Sequence, residues 1–209
     1  MSSLLNRWSL FISSLIESTP SASWSAVLSV CKFIWKIRGE YAGIDIDDSN
    51  QLHVVYYDST NTNLKYATKA ASSGSSAWTT ATLDDGQAGK YASIVVDYAN
   101  TIHVFYYDSG EEKIMHQYNS GSSWSKETVG SPSVDSGLYY TKAAVSPDNK
   151  LYLGYCKCTL VASEVPYYAT NDTDDGSWEL SSVYNTTSGD YSSPSIAIDS
   201  EGYAHFSLF

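Results

Sequence analysis

The chain has 209 residues, which is long enough to bury a hydrophobic core of its own. Its 18 tyrosines and 6 tryptophans stand beside only 17% charged residues, a composition that favours β-strands. The net charge of −11 repels nucleic-acid phosphates, and no apolar run reaches the roughly 18 residues that a membrane-spanning helix needs. We therefore expect an all-β protein that binds neither nucleic acid nor a membrane.

The first 38 residues allow two interpretations. Leu10 stands 14 residues before Trp24, just as Leu64 stands 14 residues before Trp78 in the repeat described below. The segment can therefore supply the third and fourth strands of a blade whose first two strands lie at 189–209. Alternatively, the segment is a helical extension with an apolar stripe at helical spacing. The residues of that stripe are Trp24, Val27, Leu28, Cys31, Ile34 and Trp35.

From residue 39 onward the sequence repeats itself with a period of about 50 residues, as repeat architectures do. Each copy opens with a glycine that is followed two residues later by a tyrosine. The fourth copy stops after its first half. The opening glycines are Gly39, Gly89, Gly137 and Gly189.

Each copy contains the same order of strands and turns. An alternating run (GIDID, SIVVD, KAAVS, SIAID) predicts the first strand. A four-residue turn follows (DDSN, DYAN, SPDN, DSEG), in which Asn or Gly comes late, where left-handed backbone is often required. The second strand is QLHVVYYD, TIHVFYYD, KLYLGYCK or YAHFSLF, the third is of the type NLKYATKA, and the fourth begins at a tryptophan. Four short antiparallel strands per repeat are typical of a β-propeller blade.

We therefore predict an all-β fold, a β-propeller of four-stranded blades that forms a single domain. If the N-terminal segment completes the last half-blade, the ring closes with four blades, one of them shared between the two termini. If that segment is helical, the molecule is an open arc of three and a half blades. The predicted parts are an N-terminal segment at 1–38, blades at 39–88, 89–136 and 137–188, and a half-blade at 189–209.

A tryptophan opens the fourth strand of every complete repeat, at Trp78, Trp124 and Trp178. A tryptophan can serve as a platform for a sugar ring. A residue that recurs in each blade is more often part of the architecture, so we expect these three to pack one blade on the next.

The repeat resembles the sialidase-like (BNR-type) propeller repeats. The resemblance covers about residues 39–209 and is strongest in the segments YASIVVDYANTIHVFYYD and YSSPSIAIDSEGYAHFSLF. It implies a propeller located outside the cell or at its surface, in a group that includes glycosidases and lectins. The Asp-box of that family is not intact here, and residues 173–178 match only a shortened form of it. Sialidases also have six blades and grip a carboxylate with three arginines, whereas this chain has only Arg7 and Arg38.

Tyrosines and aspartates at the loop ends form our candidate ligand site, because aromatic rings suit sugar faces and protein anchors. Some recur beside the opening glycine, and the others close the second strand. Packing is the alternative role for each tyrosine. The two aspartates occupy equivalent repeat positions, which favours a shared turn or cap over a catalytic pair. The candidate residues are Tyr41, Tyr91, Tyr139, Tyr191, Tyr57, Asp58, Tyr107 and Asp108.

The other polar groups are expected to be structural, and we predict no metal ion and no cofactor. Three of the four histidines share one repeat position, where a ring of imidazoles could bind a metal or sense pH. We expect each to hydrogen-bond within its own blade instead. The acidic turn at 45–50 offers oxygen ligands as calcium sites do, but such turns are common without an ion. Cys156 and Cys158 are expected to be small apolar fillers. The histidines are His53, His103, His116 and His205.

These observations predict a non-catalytic, lectin-like module that recognises glycans or surface polymers. One alternative is a structural subunit that pairs its incomplete blades with neighbouring chains, giving a homo-oligomer by strand addition. A second is an enzyme related to glycoside hydrolases, although no nucleophile motif is present. The expected partner is a glycan or another protein. An extracellular or surface location follows from the resemblance alone, since the N-terminus carries no convincing signal peptide.

Overall fold

A computed structural model describes most of the chain from residue 39 onward and a short piece before it. The described residues are 30, 32–34, 39–73, 78–121, 123–130, 138–158, 165–171, 177–183 and 194–207, with the backbone alone at 138, 139, 156–158 and 165. In this part of the chain, 14 strands form four antiparallel sheets, three with four strands and one with two.

Within each sheet the strands lie in chain order. The first sheet contains β1 (Gly39–Ile46), β2 (Gln51–Asp58), β3 (Asn63–Ala70) and β4 (Thr79–Asp84). The second contains β5 (Ala88–Val96), β6 (Ile102–Asp108), β7 (Lys113–Asn119) and β8 (Trp124–Gly130). The third contains β9 (Leu138–Val145), β10 (Leu151–Cys158), β11 (Val165–Thr170) and β12 (Glu179–Ser182), and the fourth β13 (Ser195–Ile198) and β14 (Ala204–Ser207).

The turn between the first two strands of each sheet has the predicted chemistry. Its late residue has a positive φ in all four repeats: Asn50 at 58°, Asn100 at 60°, Asn149 at 67° and Gly202 at 90°. Asparagine and glycine tolerate this left-handed backbone better than other residues do, which explains their place in the turn. The prediction of left-handed turns is confirmed.

Successive sheets pack face to face through their apolar side chains. Val55 and Leu64 of the first sheet share a buried cluster with Val104 and Tyr106 of the second. A further cluster joins the second and third sheets. The first strands β1, β5 and β9 contact one another in turn, and β13 follows on β9. This radial series of small sheets is the all-β propeller arrangement that the repeat predicted.

Two of the recurring tryptophans join one blade to the next, as expected. Trp124 of the second blade lies edge-on to Tyr66 of the first, with ring centroids 5.1 Å apart. Trp178 of the third blade lies edge-on to Phe105 of the second at 5.4 Å. Polar groups also cross the first junction, where Asp84 accepts hydrogen bonds from the Tyr106 hydroxyl and, as part of an ion pair, the Lys126 ammonium.

The N-terminal segment is helical in its described part. Val30 and residues 32–34 adopt helical backbone, as the helical alternative expects. Val30 and Ile34 are buried against Ile44, Leu52 and Val54 of the first sheet. The hypothesis of a half-blade covers residues 1–38. The described residues among these, Val30 and 32–34, are helical, and for the others the hypothesis stays a prediction.

Candidate functional site

One end of the blades carries the tyrosines that the sequence singled out. At this end β1 and β5 begin while β2 and β6 finish, because antiparallel partners run in opposite directions. Glu40 pairs with Tyr57 and Gly43 pairs with Val55, so that two residues of β1 oppose one residue of β2. The same irregularity recurs between β5 and β6. Both blades thus carry a β-bulge at this end, a feature that re-aims a side chain.

The bulge places a tyrosine in a backbone conformation that is rare for an aromatic residue. Tyr41 has φ 51° and Tyr91 has φ 58°. A left-handed conformation at a non-glycine residue is unfavourable and persists only where surrounding contacts hold it. Two consecutive blades therefore keep the same strained tyrosine at the same end.

The two bulged tyrosines and one tyrosine of the third blade form a row across three blades, which we call the tyrosine row: Tyr41, Tyr91 and Tyr140. The ring centroids of Tyr41 and Tyr91 are 4.3 Å apart, and those of Tyr91 and Tyr140 are 4.2 Å apart. Tyr91 is 8% exposed, whereas its two neighbours are half-buried. Burial raises the pKa of the Tyr91 hydroxyl, and interactions with the Tyr41 and Tyr140 hydroxyls raise it further, so Tyr91 stays protonated.

Tyr57 flanks the row, and Tyr107 takes the equivalent position in the second blade, where it pairs with Lys90. Tyr57 is 6% exposed, and its ring centroid lies 6.3 Å from that of Tyr41. The Lys90 ammonium lies 5.7 Å from the Tyr57 ring centre. Burial raises the pKa of Tyr57, with smaller contributions from the negative charges of Glu40 and other neighbours. Tyr107 is half-buried.

The two candidate aspartates cap turns. Asp58 Oδ1 accepts the Thr60 and Asn61 backbone N–H groups at 3.0 and 3.3 Å. Asp108 Oδ1 accepts those of Gly110 and Glu111 at 2.9 and 3.0 Å. The side-chain hydrogen bond from Asn61 is the main cause that lowers the pKa of Asp58. The shared cap that the repeat predicted is confirmed, and Asp108, only 2% exposed, is not at the surface.

The third blade contributes a tyrosine that the sequence analysis missed. The repeat alignment pointed to Tyr139, which lies in β9 opposite Lys157 and whose side chain is outside the described residues. The next residue, Tyr140, contacts Tyr91. The pairing of β9 with β10 runs without a register shift, so the third blade reaches the row with a different residue. The Tyr-Tyr doublet was the available signal. Tyr191 lies outside the described residues.

The histidines hydrogen-bond within their own blades, as predicted. The turn aspartates Asp47, Asp97 and Asp199 face the Nε2 atoms of His53, His103 and His205 at 3.2, 3.3 and 2.8 Å. Within the described ranges, no three His, Cys, Asp or Glu side chains are grouped as a metal site requires. The side chains of Cys156 and Cys158 are outside the description.

The oxygen atoms of the acidic turn are occupied by protein donors. Asp47 Oδ1 accepts the Ser49 and Gln51 backbone N–H groups at 2.9 and 2.8 Å. Asp45 accepts the backbone N–H groups of Ile46 and, across the blade junction, Val96. These contacts account for the cluster of acidic residues as turn and junction chemistry.

No protein-family model matches the sequence, and no curated protein matches it. The fold is similar to AofleA from Arthrobotrys oligospora, with a TM-score of 0.53 and 14% identity over 78% of this chain and 48% of that one. An ulvan lyase of family PL25, bound to a GlcA–Rha3S repeat, gives 0.55 and 13% over 79% and 50%. The α-L-arabinofuranosidase PaAbf62A from Podospora anserina, in complex with cellotriose, gives 0.50 and 16% over 72% and 56%.

The chain spans about half the length of each of these proteins. At such low identities the likeness shows the fold alone, a propeller-type arrangement that carbohydrate-active proteins also use. Among the helices that the structure describes, none is long and apolar enough to cross a membrane.

Proposed function

We propose that this protein is a non-catalytic carbohydrate-binding module whose ligand contacts the end of the blades that carries the tyrosine row. The observation that supports it is the pair of bulged tyrosines, Tyr41 and Tyr91, held at positive φ in consecutive blades. Strained backbone that recurs at the same end of two blades is typical of a ligand-binding site, because such strain clusters where ligands bind. Tyrosine suits this role because its ring covers an apolar sugar face while its hydroxyl hydrogen-bonds.

The charge of the protein favours a neutral glycan. A net charge of −11 repels polyanions over a distance of about a Debye length. Lys90 and Glu40 stand beside the row with opposite charges, so neither sign dominates there. Hydroxyl groups of a neutral sugar can donate to Glu40 and accept from Lys90.

A binding role without catalysis agrees with the state of the carboxylates. Glycoside hydrolysis needs two free carboxyl groups at a defined separation. The Oδ1 atoms of Asp58 and Asp108 accept turn N–H groups, while Oδ2 of Asp58 accepts from the Asn61 amide and Oδ2 of Asp108 lies 3.7 Å from the Lys126 ammonium. The fold similarity to a lyase and an arabinofuranosidase is compatible with a carbohydrate ligand, and an extracellular or surface location would suit it. The sialidase-like character of the repeat stays a prediction.

A glycan array followed by calorimetry tests this proposal. Tyr140→Ala removes one half-buried ring of the row from a strand without a bulge, and we expect it to weaken binding about tenfold or more, as hot-spot aromatics do. The matched control is Tyr98→Ala, since Tyr98 is 65% exposed in the turn at the opposite end of the blades. Failure to bind any glycan, or equal losses in the two variants, would contradict the proposal.

A second candidate function is assembly through the two-stranded sheet. Within the described residues β14 pairs with β13 alone. Outer strands of a sheet are normally protected by bulges or charges. The pairings of β4 and β8 are interrupted by register shifts, and β8 carries Lys126 and Glu127. The β14 strand has a regular register and no acidic or basic residue other than a histidine.

Such an edge can accept a strand from another chain. Light scattering across a dilution series tests this alternative, with Phe206→Lys as a variant that places a charge in β14. Assembly through this edge predicts a multimer that the variant dissociates. A monomer at all concentrations would contradict it and leave the carbohydrate proposal unaffected.

A further inference from the structure

A line of four titratable side chains crosses the second blade. Asp97 Oδ2 lies 3.3 Å from His103 Nε2, and His103 Nδ1 lies 2.9 Å from His116 Nε2. His116 Nδ1 in turn lies 2.8 Å from Glu127 Oε1. The two histidines are only 7% and 3% exposed. We call Asp97, His103, His116 and Glu127 the histidine chain.

The far end of the histidine chain is also where the third blade is attached. The indole N–H of Trp178 donates to Glu127 Oε1 at 2.8 Å. The same indole lies edge-on to the rings of His116 and Phe105, with centroids 5.4 Å away in each case. Trp178 therefore contacts the second blade through His116 and Glu127, the last two residues of the histidine chain.

The three contacts of the chain need a definite number of protons. A carboxylate can only accept, so His116 must donate from Nδ1 to Glu127 and accept at Nε2. His103 then donates from Nδ1 to His116, which leaves its Nε2 without a proton opposite Asp97. Two neutral imidazoles therefore supply two protons for three contacts. One added proton, on His103 Nε2, completes the chain.

A second added proton has no such place. It would sit on His116 Nε2, where it faces the N–H of His103 Nδ1 across 2.9 Å. Two donors cannot form a hydrogen bond with each other, and two buried imidazolium ions repel. His116 must then move away from His103, and it lies directly under Trp178.

We propose that the histidine chain is an acid-sensitive latch that holds the third blade on the second. At neutral pH His103 donates to His116, and Glu127 accepts from both His116 and Trp178. In acid, full protonation separates the two imidazoles and loosens the contact of Trp178 with the second blade.

The electrostatic surroundings agree with this behaviour. Burial lowers the pKa of His103 to about 4, with the nearby His116 acting in the same direction and the carboxylates opposing it. Burial also lowers the pKa of His116, against the effect of Glu127. Because the folded pKa values lie below the usual 6.5, the folded state binds fewer protons than the unfolded state as pH falls below that value, so stability declines.

Among the described residues, the acid-titrating groups that act on the two imidazoles are Asp97, Glu127 and the imidazoles themselves. On the same blade the ring of Tyr118 stacks beside them. From the third blade, the Asn149 amide donates to Asp97, and Tyr155 lies in the shared apolar cluster. The residues that flank Asn149, Asp148 and Lys150, pair with each other at 3.2 Å.

The first blade supplies a matched control for this latch. At the equivalent junction His53 Nδ1 contacts the Tyr66 hydroxyl at 2.5 Å, and Trp124 packs on Tyr66. Tyr66 pairs across the sheet with Ala81, just as His116 pairs with Glu127. This junction therefore has the same geometry with neither the second imidazole nor the carboxylate.

The test compares the wild-type protein with the double variant His116→Tyr/Glu127→Ala, which imports the pair of the first blade. Urea unfolding is followed at pH 7 and at about pH 3.5, which is below the pKa of His103. We expect the fall in the urea midpoint between these pH values to be at least halved in the variant. Equal falls in both proteins would overturn the proposal. Losing the Trp178 hydrogen bond lowers both midpoints of the variant alike and does not affect this comparison.

A measurement on the wild-type protein covers the case in which the variant does not fold. Nitrogen NMR of the imidazoles at pH 7 is expected to show protons on Nδ1 of both His103 and His116. On acidification, the indole N–H signal of Trp178 should shift with the same midpoint as His116. A Trp178 signal that stays constant while His116 titrates would overturn the latch.

The latch also bears on the carbohydrate proposal, because the third blade carries Tyr140 of the tyrosine row. If both hold, acid weakens glycan binding in the wild type more than in the double variant. This consequence rests on the proposed function. The urea and NMR results do not, so the two proposals can fail separately.

Discussion

Phe33 stacks on Trp78, with ring centroids 4.4 Å apart and an angle of 18° between the ring planes. The equivalent tryptophans of the next two blades, Trp124 and Trp178, pack on Tyr66 and Phe105 of the blade before them. The helical residue therefore provides the aromatic partner that a preceding blade provides elsewhere. The apolar face of the first blade is covered in this way, as terminal repeats of stacked proteins require.

Phe33→Ala is expected to destabilise the protein by about 2 kcal/mol, less than the value for a fully buried phenylalanine because Phe33 is half-buried. The loss comes from the uncovered faces of Trp78 and Tyr56, both of which Phe33 contacts. Urea unfolding measures it. Tyr203→Ala, at a site 65% exposed, is the control and should change stability little. Equal stability of both variants would mean that Phe33 does not cover the blade.

Gly89→Ala is expected to be much more damaging than Gly121→Ala. Both glycines have positive φ, at 104° and 109°, so an alanine is strained at either site. A Cβ at Gly89 would also lie 2.8 Å from the Leu64 backbone, whereas one at Gly121 would meet nothing within 4 Å. We expect about 1 kcal/mol from strain alone and at least ~2 kcal/mol more at Gly89. Similar thermal midpoints for the two variants would refute the close approach of β5 to the first blade.

Asn100 serves both its own turn and the neighbouring blade. Its φ is 60°, and its amide oxygen accepts the Asp48 backbone N–H at 3.1 Å. Asn100→Gly keeps the backbone conformation but loses the link, at a cost of about 0.5–1 kcal/mol. Asn100→Ala loses the link and adds strain of roughly 1 kcal/mol. Unfolding experiments should therefore rank the wild type first, glycine second and alanine last; alanine as stable as glycine would exclude the strain.

Asp45 should make the protein less stable as pH rises through the weakly acidic range. Burial raises the pKa of this carboxyl to about 6, against hydrogen bonds from Val96 and Ile46. Its folded pKa exceeds the usual 3.8, so its contribution is present below pH 3.8 and is lost by about pH 6. A shift of this size corresponds to about 2–3 kcal/mol.

Asp45→Asn cannot ionise and isolates this effect from the opposite trend of the histidine chain. The difference in unfolding free energy between variant and wild type should grow in favour of the variant from pH 4 to pH 7. Urea unfolding at several pH values measures it. A difference that does not depend on pH would show that Asp45 titrates normally.

The blade could be read from the sequence because its determinants are local. Alternation along Gln51–Asp58 and the asparagines of the turns specify strands and left-handed backbone over a few residues. Strand alternation and turn residues are weak signals singly, but their recurrence in several copies of the repeat strengthened the prediction. The packing role of Trp124 and Trp178 followed from recurrence in the same way.

The candidate site was predicted only in part. Tyr41 and Tyr91 come together as expected. In the third blade Tyr140 contacts Tyr91, whereas the side chain of the aligned Tyr139 lies outside the described residues. The cause is a register shift that β1 and β5 have and that β9 lacks, which depends on pairing with the neighbouring strand.

The sequence by itself determined the strands, the turns and the succession of blades, because strand alternation and turn backbone depend on neighbours in the chain. Only the tertiary structure decided which side chains meet between blades. The contact of Phe33 with Trp78 and the hydrogen bond from Trp178 to Glu127 join residues about 45 and 51 positions apart. Such contacts are set by the packing of one sheet on the next, which no local pattern encodes.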